Sequence, residues 1–317
     1  MKKFKKLNEE ITLQACANIA LIKYWGKRDE NLFLPTKSSI SISMSNLVTT
    51  TCIQENNFDQ IILDNKILSE EESKKIINFL DKFRKIYKIK KKFKITTQNN
   101  FPTAAGLASS SSGFAAIALG LNKFCDLNLS KKELSILARQ GSGSACRSIY
   151  NGFVMWHKGQ ENNGLDCYAE QLFDEFYWPE FKVLTVIVNN QEKTISSRIA
   201  MQQTVKTSSY YNDWLIESES RIPKITDAIK NKNFSIVGQL AQEDCLGMHK
   251  AIRLSEPKID FWQNKTKDVI KIVEDLKANG TDCYFTIDAG PNVKILCLDK
   301  NYEKIKKIIL NNKFSVL

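Results

Sequence analysis

One stretch limits what this chain can fold into more than any other: Phe101-Pro-Thr-Ala-Ala-Gly-Leu-Ala-Ser-Ser-Ser-Ser-Gly113. It packs Gly, Ala and Ser into one loop and runs straight into an apolar-periodic segment. Phe114, Ile117, Ala118 and Leu121 recur at helical spacing, which predicts a helix starting near the serines. Small side chains let a backbone approach a ligand, and the first turn of a helix leaves amide N–H groups unpaired. Both features favour a bound phosphate, which also sits well at the positive end of the helix dipole. The serine hydroxyls add donors, or ligands for a metal ion. A Ser-rich loop capping a buried helix would read the same way locally. The stretch is not a P-loop, because no Gly-Lys-Ser/Thr follows the glycine.

At 317 residues the chain can form two domains or one large one. Its formal charge of +11 comes largely from lysine in short runs such as Lys2-Lys3, Lys74-Lys75 and Lys88 to Lys94. Such runs suit anionic partners or simply a solvated face, and no RNA-reading aromatic motif accompanies them. The eight cysteines form no C-x-x-C, which argues against a zinc module and for reduced core thiols. The basic Met1–Lys6 is not followed by an apolar segment, and no apolar run approaches membrane-spanning length, so a soluble cytoplasmic protein is expected. His157 and His249 are the only histidines and neither has a nucleophile signature, which argues against a Ser-His-Asp hydrolase and for structural roles for both.

In chain order, Ile11–Ile22 is β-rich and ends in Lys23-Tyr24-Trp25-Gly26-Lys27-Arg28-Asp29, a dense group of cations and aromatics around one glycine. This group fits a phosphorylated ligand or an exposed basic turn equally well. Ser38–Cys52 reads as a strand pair, Ile61–Leu63 and Lys94–Thr97 as strands, and Ser69 with Glu72 as a capping box for a helix with Ile76, Leu80, Phe83 and Tyr87 on one face. A second capping box, Ser130 with Glu133, opens a short helix that stops at Gly141. The turn Gly141-Ser-Gly-Ser-Ala-Cys-Arg-Ser148 follows. Arg147 among serines suits bidentate capture of a carboxylate or phosphate, or a structural ion pair. After the strand Val183–Val188 the pattern changes to mostly helical, which marks a soft domain boundary. The strand Cys283–Ile287 then runs into Asp288-Ala-Gly-Pro-Asn292 and returns over Val293–Leu298. Asp288 stands where a strand presents a carboxylate at its end, a position that an ordinary turn residue also takes.

Taken together, Asn18-Ile-Ala-Leu-Ile-Lys-Tyr-Trp-Gly-Lys27, Asn100-Phe-Pro-Thr-Ala-Ala-Gly-Leu-Ala-Ser-Ser110, Gly141 to Ser148 and Asp288 to Asn292 closely resemble the diphosphomevalonate decarboxylases. That family lies within the superfamily of galactokinase, homoserine kinase, mevalonate kinase and phosphomevalonate kinase. The loop alone indicates only the superfamily. The Lys-Tyr-Trp-Gly-Lys and Gly-Ser-Gly-Ser-Ala-Cys-Arg pieces are specific to the decarboxylase branch, and the similarity runs from about Ala17 to Val293.

The resemblance implies a two-domain α+β fold of the small-molecule-kinase superfamily. An N-terminal α/β domain with the nucleotide loop (1–188) would bind ATP, and a ferredoxin-like C-terminal domain (189–317) would follow. It implies ATP-dependent decarboxylation of mevalonate 5-diphosphate to isopentenyl diphosphate through transient 3-O-phosphorylation, with Mg²⁺ and in a homodimer. By the same resemblance Asp288 and Lys23 would be catalytic, and Arg147 with Ser142 and Ser144 would hold the substrate carboxylate. Tyr24, Lys27, Ser197 and Arg198 would bind the diphosphate. Asn99, Ala105, Gly106, Leu107, Ala108, Ser109, Ser110 and Met201 would bind ATP, and the metal ligands stay unassigned. Two positions depart from the family: Ala200 replaces a usual Gly beside Met201, and Asn151 replaces the first of a Gly pair. The alternatives are a kinase of the same superfamily that releases no CO₂, and a basic nucleic-acid-binding protein, which would leave Asp288 and the Ser/Arg turn unexplained.

Overall fold

In the computed structural model, which describes residues 10–102, 109–189 and 195–317, the first half of the chain is mixed β and α. It runs β1 (Glu10–Ile22), β2 (Lys27–Asp29), β3 (Leu34–Pro35), β4 (Ser39–Asn56), β5 (Gln60–Leu63), β6 (Lys66–Ile67) and α1 (Glu70–Tyr87). There follow β7 (Lys92–Asn99), α2 (Ser109–Phe124), α3 (Lys131–Arg139), a 3₁₀ helix over Gly143–Ile149, β8 (Phe153–Trp156) and β9 (Ala169–Phe173). The second half holds β10 (Phe181–Ile187), α4 (Ser197–Thr207), α5 (Tyr211–Lys230), α6 (Phe234–Arg253) and α7 (Asn264–Ala278), then β11 (Cys283–Thr286), β12 (Val293–Leu298), α8 (Asp299–Asn311) and β13 (Ser315–Val316).

β4 organises the first sheet. The expected strand pair over Ser38–Cys52 is one 18-residue strand. Its register against β1 jumps where Cys16 faces Val48 and Ala17 faces Met44. The bulge leaves Ser45 and Asn46 exposed, and that polar pair imitates a turn in the sequence. Along one edge β4 pairs with β1; along the other it serves β7 through Thr49–Asn56 and β8 through Ser39–Ile42. One face of this sheet packs on α1, α2 and α3 through Phe79, Phe83, Phe93, Ile95, Phe114 and Ile117. Both predicted capping boxes form, at Ser69–Glu72 and Ser130–Glu133. The helix predicted after the serines is α2, which is buried along most of its length; the ideal Cβ position on Gly120 lies 2.7 Å from Ile53 Cδ1.

The second sheet has the order β11-β12-β10-β13, antiparallel throughout. With α4 to α7 joining β10 to β11 and α8 joining β12 to β13, this is the ferredoxin-like topology. Its first strand, β10, lies ahead of residue 189. Beyond α7 and α8 on one side, the sheet shares its other core with the first: Ile19, Leu21 and Ile42 pack with Phe181, Phe234, Val237 and Tyr284. The two halves are therefore joined by a continuous apolar layer, with β1 as its first-half wall. Gly152 takes the left-handed backbone (φ 78°) at the Asn151-Gly152 pair, and Asn151 does not. The replacement of the first glycine thus falls where no left-handed residue is needed.

Candidate active site

A cavity of about 340 Å³ opens where the exits of β1 and β11, the 3₁₀ helix and the first turns of α2 and α4 converge. Asp288 lines its wall, and from behind that wall Lys23 Nζ donates to Asp288 Oδ1 at 2.7 Å. The lysine side chain is 1% exposed and the aspartate 29%, so the ammonium is sealed while the carboxylate faces the cavity. Burial pushes the Asp288 carboxyl up, but the charges of Lys23, Lys294 and Arg147 outweigh it and hold the pKa below the ordinary carboxylate range. The turn reading of Asp288 is thus incomplete: the residue stands in the turn two positions beyond β11 and is also ion-paired across the junction of the two halves.

Arg147 lies on the 3₁₀ helix with its guanidinium buried. Nε and Nη2 donate to Asn18 Oδ1 at 3.2 and 3.1 Å, and Nη1 donates to Ser39 Oγ at 2.5 Å. Among the described residues it forms no ion pair, so the structural-carboxylate alternative is not realised. Burial pulls its pKa down from the usual guanidinium range. A buried cation given only neutral partners, on a cavity wall, fits an anionic ligand. Asn18, which sequence reasoning did not single out, is fixed in turn by its Nδ2 donating to Ser144 O and Ser148 Oγ at 3.2 and 2.8 Å.

Tyr24 stands edge-on to Trp156 with ring centroids 4.7 Å apart, and the Arg147 guanidinium lies over the same indole at 5.9 Å. The Tyr24 hydroxyl is shut off from water and has no hydrogen-bond partner among the described residues. An orphaned hydroxyl on a cavity wall is a donor waiting for a ligand. Lys27 and Arg198 both line the cavity and both lie over the ring of Phe33, at 4.7 and 5.1 Å. Lys27 also pairs with Glu30 at 2.6 Å, and its pKa is lowered by burial and by Arg198. Phe33 holds this place at φ 55°, a conformation seldom adopted by a bulky residue.

The small-residue side of the cavity is the start of α2. Ser109, Ser110 and Ser111 line it beside Ser142 and Ser144, with Ser111 Oγ 2.5 Å from Ser144 Oγ and Ser110 Oγ 3.4 Å from Ser142 Oγ. The unpaired amides of that first turn add donors, and no acidic side chain lies in it to repel an anion. Lys75, reaching in from α1, lines the same cavity. In the sequence it read only as part of the Lys74-Lys75 run on an exposed helix face. Ser197 lines the wall at the start of α4. Met201 lines it too, packed with Trp25, Ala200 and Met248.

Ala105, Gly106, Leu107 and Ala108 lie outside the described residues. Asn99 stands away from the cavity wall, its Oδ1 accepting from Thr49 Oγ1 at 2.6 Å. Neither histidine lines the cavity: His157 faces Glu170 at 2.8 Å, and His249 is buried against the Ile287 carbonyl at 3.2 Å. All eight cysteines are free thiols. Lys91 and Lys92 of the long lysine run pair locally with Glu55 and Asp59. No group of three or more His, Cys, Asp or Glu side chains suited to a metal occurs among the described residues. The oxygen donors present, the α2 serine hydroxyls and the Asp288 carboxylate, are hard ligands that suit Mg²⁺ carried by a phosphate ligand.

Residues 15–169 match the diphosphomevalonate decarboxylase-like N-terminal domain, and residues 183–316 match the mevalonate 5-diphosphate decarboxylase C-terminal domain. Diphosphomevalonate decarboxylase from Aspergillus fumigatus is 36% identical over 318 residues, covering 93% of this chain and 78% of that protein. The crystal structure of mevalonate diphosphate decarboxylase from Staphylococcus aureus superposes with a TM-score of 0.92 at 37% identity, covering 98% of this chain and 96% of that one. A solved complex of MDDEF with MVAPP, AMPPCP and magnesium does so with a TM-score of 0.92 at 39% identity and the same coverage. With both halves matched in order along nearly its whole length, the chain belongs to the diphosphomevalonate decarboxylase family.

Proposed function

We propose that this protein catalyses the ATP-dependent decarboxylation of mevalonate 5-diphosphate, giving isopentenyl diphosphate, ADP, phosphate and CO₂. One observation carries the reading: a single cavity brings Asp288, backed by its buried partner Lys23, together with Arg147 and the serine-lined start of α2. The decarboxylase relatives and the MDDEF complex with MVAPP, AMPPCP and magnesium support it.

The chemistry accounts for each residue type. The tertiary 3-hydroxyl is a poor leaving group, so ATP phosphorylates it first. Asp288, kept ionised by Lys23, orients that hydroxyl or takes its proton as the O–P bond forms. Departure of the phosphate builds positive charge at C3. The C1–C2 bonding electrons then form the C2=C3 double bond as CO₂ leaves. Arg147, with Ser142 and Ser144 beside it, holds the C1 carboxylate in line for that step. Tyr24, Lys27, Ser197 and Arg198 take the 5-diphosphate. Ser109 and Ser110 with the α2 amides take the ATP phosphates, together with the loop from Ala105 to Ala108 and Asn99; Met201 lies towards the nucleotide, and Lys75 adds a cation there. Bound Mg²⁺ would be held by the serine hydroxyls and Asp288 and supplies neutralisation of phosphate charge. The protein's own contribution is positioning and charge, with little covalent participation.

In this reading the residues ahead of β10 form the ATP-binding half, and the ferredoxin-like half from β10 onward contributes Asp288. The enzyme is taken to be a cytoplasmic homodimer, a state that sedimentation velocity checks. No helix among the described residues is long and apolar enough to cross a membrane. The test is release of CO₂ and ADP with ATP, Mg²⁺ and mevalonate 5-diphosphate, run beside the 5-monophosphate and free mevalonate. Turnover with the diphosphate alone is expected; ADP without CO₂ would make the protein a kinase.

A further inference from the structure

β1 ends at Ile22, so the N–H and C=O of Lys23 leave the sheet ladder at the edge of the cavity. Backbone groups buried there need partners from elsewhere. Both are taken by charged side chains distant in sequence. The Lys23 N–H donates to Asp244 Oδ2 on α6 at 2.6 Å, and the Lys23 carbonyl accepts from Lys37 Nζ at 2.7 Å. The N–H belongs to the peptide before the Lys23 Cα and the carbonyl to the peptide after it. Fixing both planes fixes φ and ψ of Lys23, and with them the direction in which its side chain leaves for Asp288.

These two residues are buried beyond what a structural hydrogen bond needs. Lys37 is 2% exposed and Asp244 is 0% exposed. The Lys37 ammonium also donates to Ser38 O at 2.8 Å and lies over the Trp214 ring at 5.2 Å, and it has no ion pair among the described residues. Desolvating an ammonium costs several kcal/mol, and a neutral donor would satisfy two carbonyls without that cost. The charge strengthens its bonds to the main chain, as charge-assisted bonds are about twice as strong as neutral ones. Asp244 is balanced on its far side by Arg221 Nη1 at 3.6 Å.

We propose that Lys37 and Asp244 are positioning residues that clamp the main chain of Lys23 from both sides, aiming its ammonium at Asp288. This rests on the reading of Lys23 and Asp288 as the reacting pair. Burial lowers the Lys37 pKa to about 8; Asp244 and Glu219 draw it up, and Arg147 and Arg221 push it down. The clamp is therefore charged below about pH 8 and weakens above it.

The test uses the full-length protein as Lys37→Met and Asp244→Asn variants, with kcat, KM for both substrates and thermal melting measured across pH 6 to 10. Ångström-scale misplacement of a reacting group costs up to about a hundredfold in rate. The expected result is a kcat about tenfold to a hundredfold lower with both KM values near those of the unaltered enzyme. The basic limb of kcat near pH 8 should vanish in Lys37→Met. In Asp244→Asn it should move to lower pH, because the carboxylate that favours the ammonium is gone. If Lys37→Met fails to fold, the near-isosteric Asp244→Asn carries the same test through that shift. Unchanged kcat in the folded variants, or a basic limb that stays in place in Asp244→Asn, overturns the proposal. If the unaltered protein releases no CO₂ from any mevalonate, the reading of the cavity falls and takes the clamp's role with it. An active enzyme with indifferent variants removes the clamp alone.

Discussion

The Lys23–Asp288 pair permits an unequal double-mutant cycle. Removing Asp288 as Asp288→Asn leaves the Lys23 ammonium, 1% exposed, without its counter-charge and without access to water. Breaking a buried pair from one side costs about 3–5 kcal/mol. Among the described residues the cavity wall gives the lysine no alternative carboxylate, so a loss of about 3 kcal/mol is expected. Removing Lys23 as Lys23→Met is milder. The Asp288 carboxylate is 29% exposed and keeps the charges of Lys294 and Arg147, so water and those cations replace the lost partner. A loss of about 1 kcal/mol follows from the value of a partly exposed pair. In the double variant neither charge remains, and its loss should be no more than about 1 kcal/mol, a coupling of about 3–4 kcal/mol. Urea denaturation of the three ligand-free variants reads these differences, and CO₂ release should be lost in every one. If the two single losses were equal and added in the double variant, the argument from one-sided burial would be wrong.

Two further outcomes follow from buried groups. Arg147→Met should raise KM for mevalonate 5-diphosphate about 10- to 100-fold, the value of a charge-assisted contact of about 1.5–3 kcal/mol. Its melting temperature should fall only by a few degrees, because relief of a buried charge offsets the Asn18 and Ser39 oxygens left without a donor; a large drop would show Arg147 to be structural. His249 is held neutral by burial, its pKa pushed down to about 3 from 6.5, with Nε2–H on the Ile287 carbonyl and Nδ1 unpartnered among the described residues. Below pH 6.5 the unfolded chain gains a proton that the folded one refuses. The residue's contribution is thus complete above that pH and is lost towards pH 3, at about 1.4 kcal/mol per pH unit. Urea denaturation at pH 7, 6 and 5 should show a flatter decline in His249→Gln, and an unchanged slope would refute the assignment.

What could be read from the sequence was local. The capping boxes at Ser69–Glu72 and Ser130–Glu133, the start of α2 after its serines and the strand before Asp288 each depend on residues a few positions apart. β4 was misread because Ser45 and Asn46, exposed at a bulge, carry turn chemistry inside a continuous strand. The convergence of Lys23, Arg147 and Asp288 came from family resemblance, since no periodicity links residues so far apart. Lys37 and Asp244 stayed hidden for a different reason. A lysine beside a serine pair and an aspartate on an amphipathic helix look like surface residues until the fold buries them.

The placement of the site explains why both halves are needed for one reaction. Lys23 is delivered by β1 of the first sheet, and Asp288 by the turn that follows β11 of the second. Only the two together form the Lys23–Asp288 pair. The apolar layer joining Ile19 and Leu21 to Val237 and Tyr284 fixes the distance between them. A change in that layer, far from any substrate, would reach the chemistry through the 2.7 Å bond between Lys23 and Asp288. Selection for packing at this interface is therefore also selection for the geometry of the charged pair.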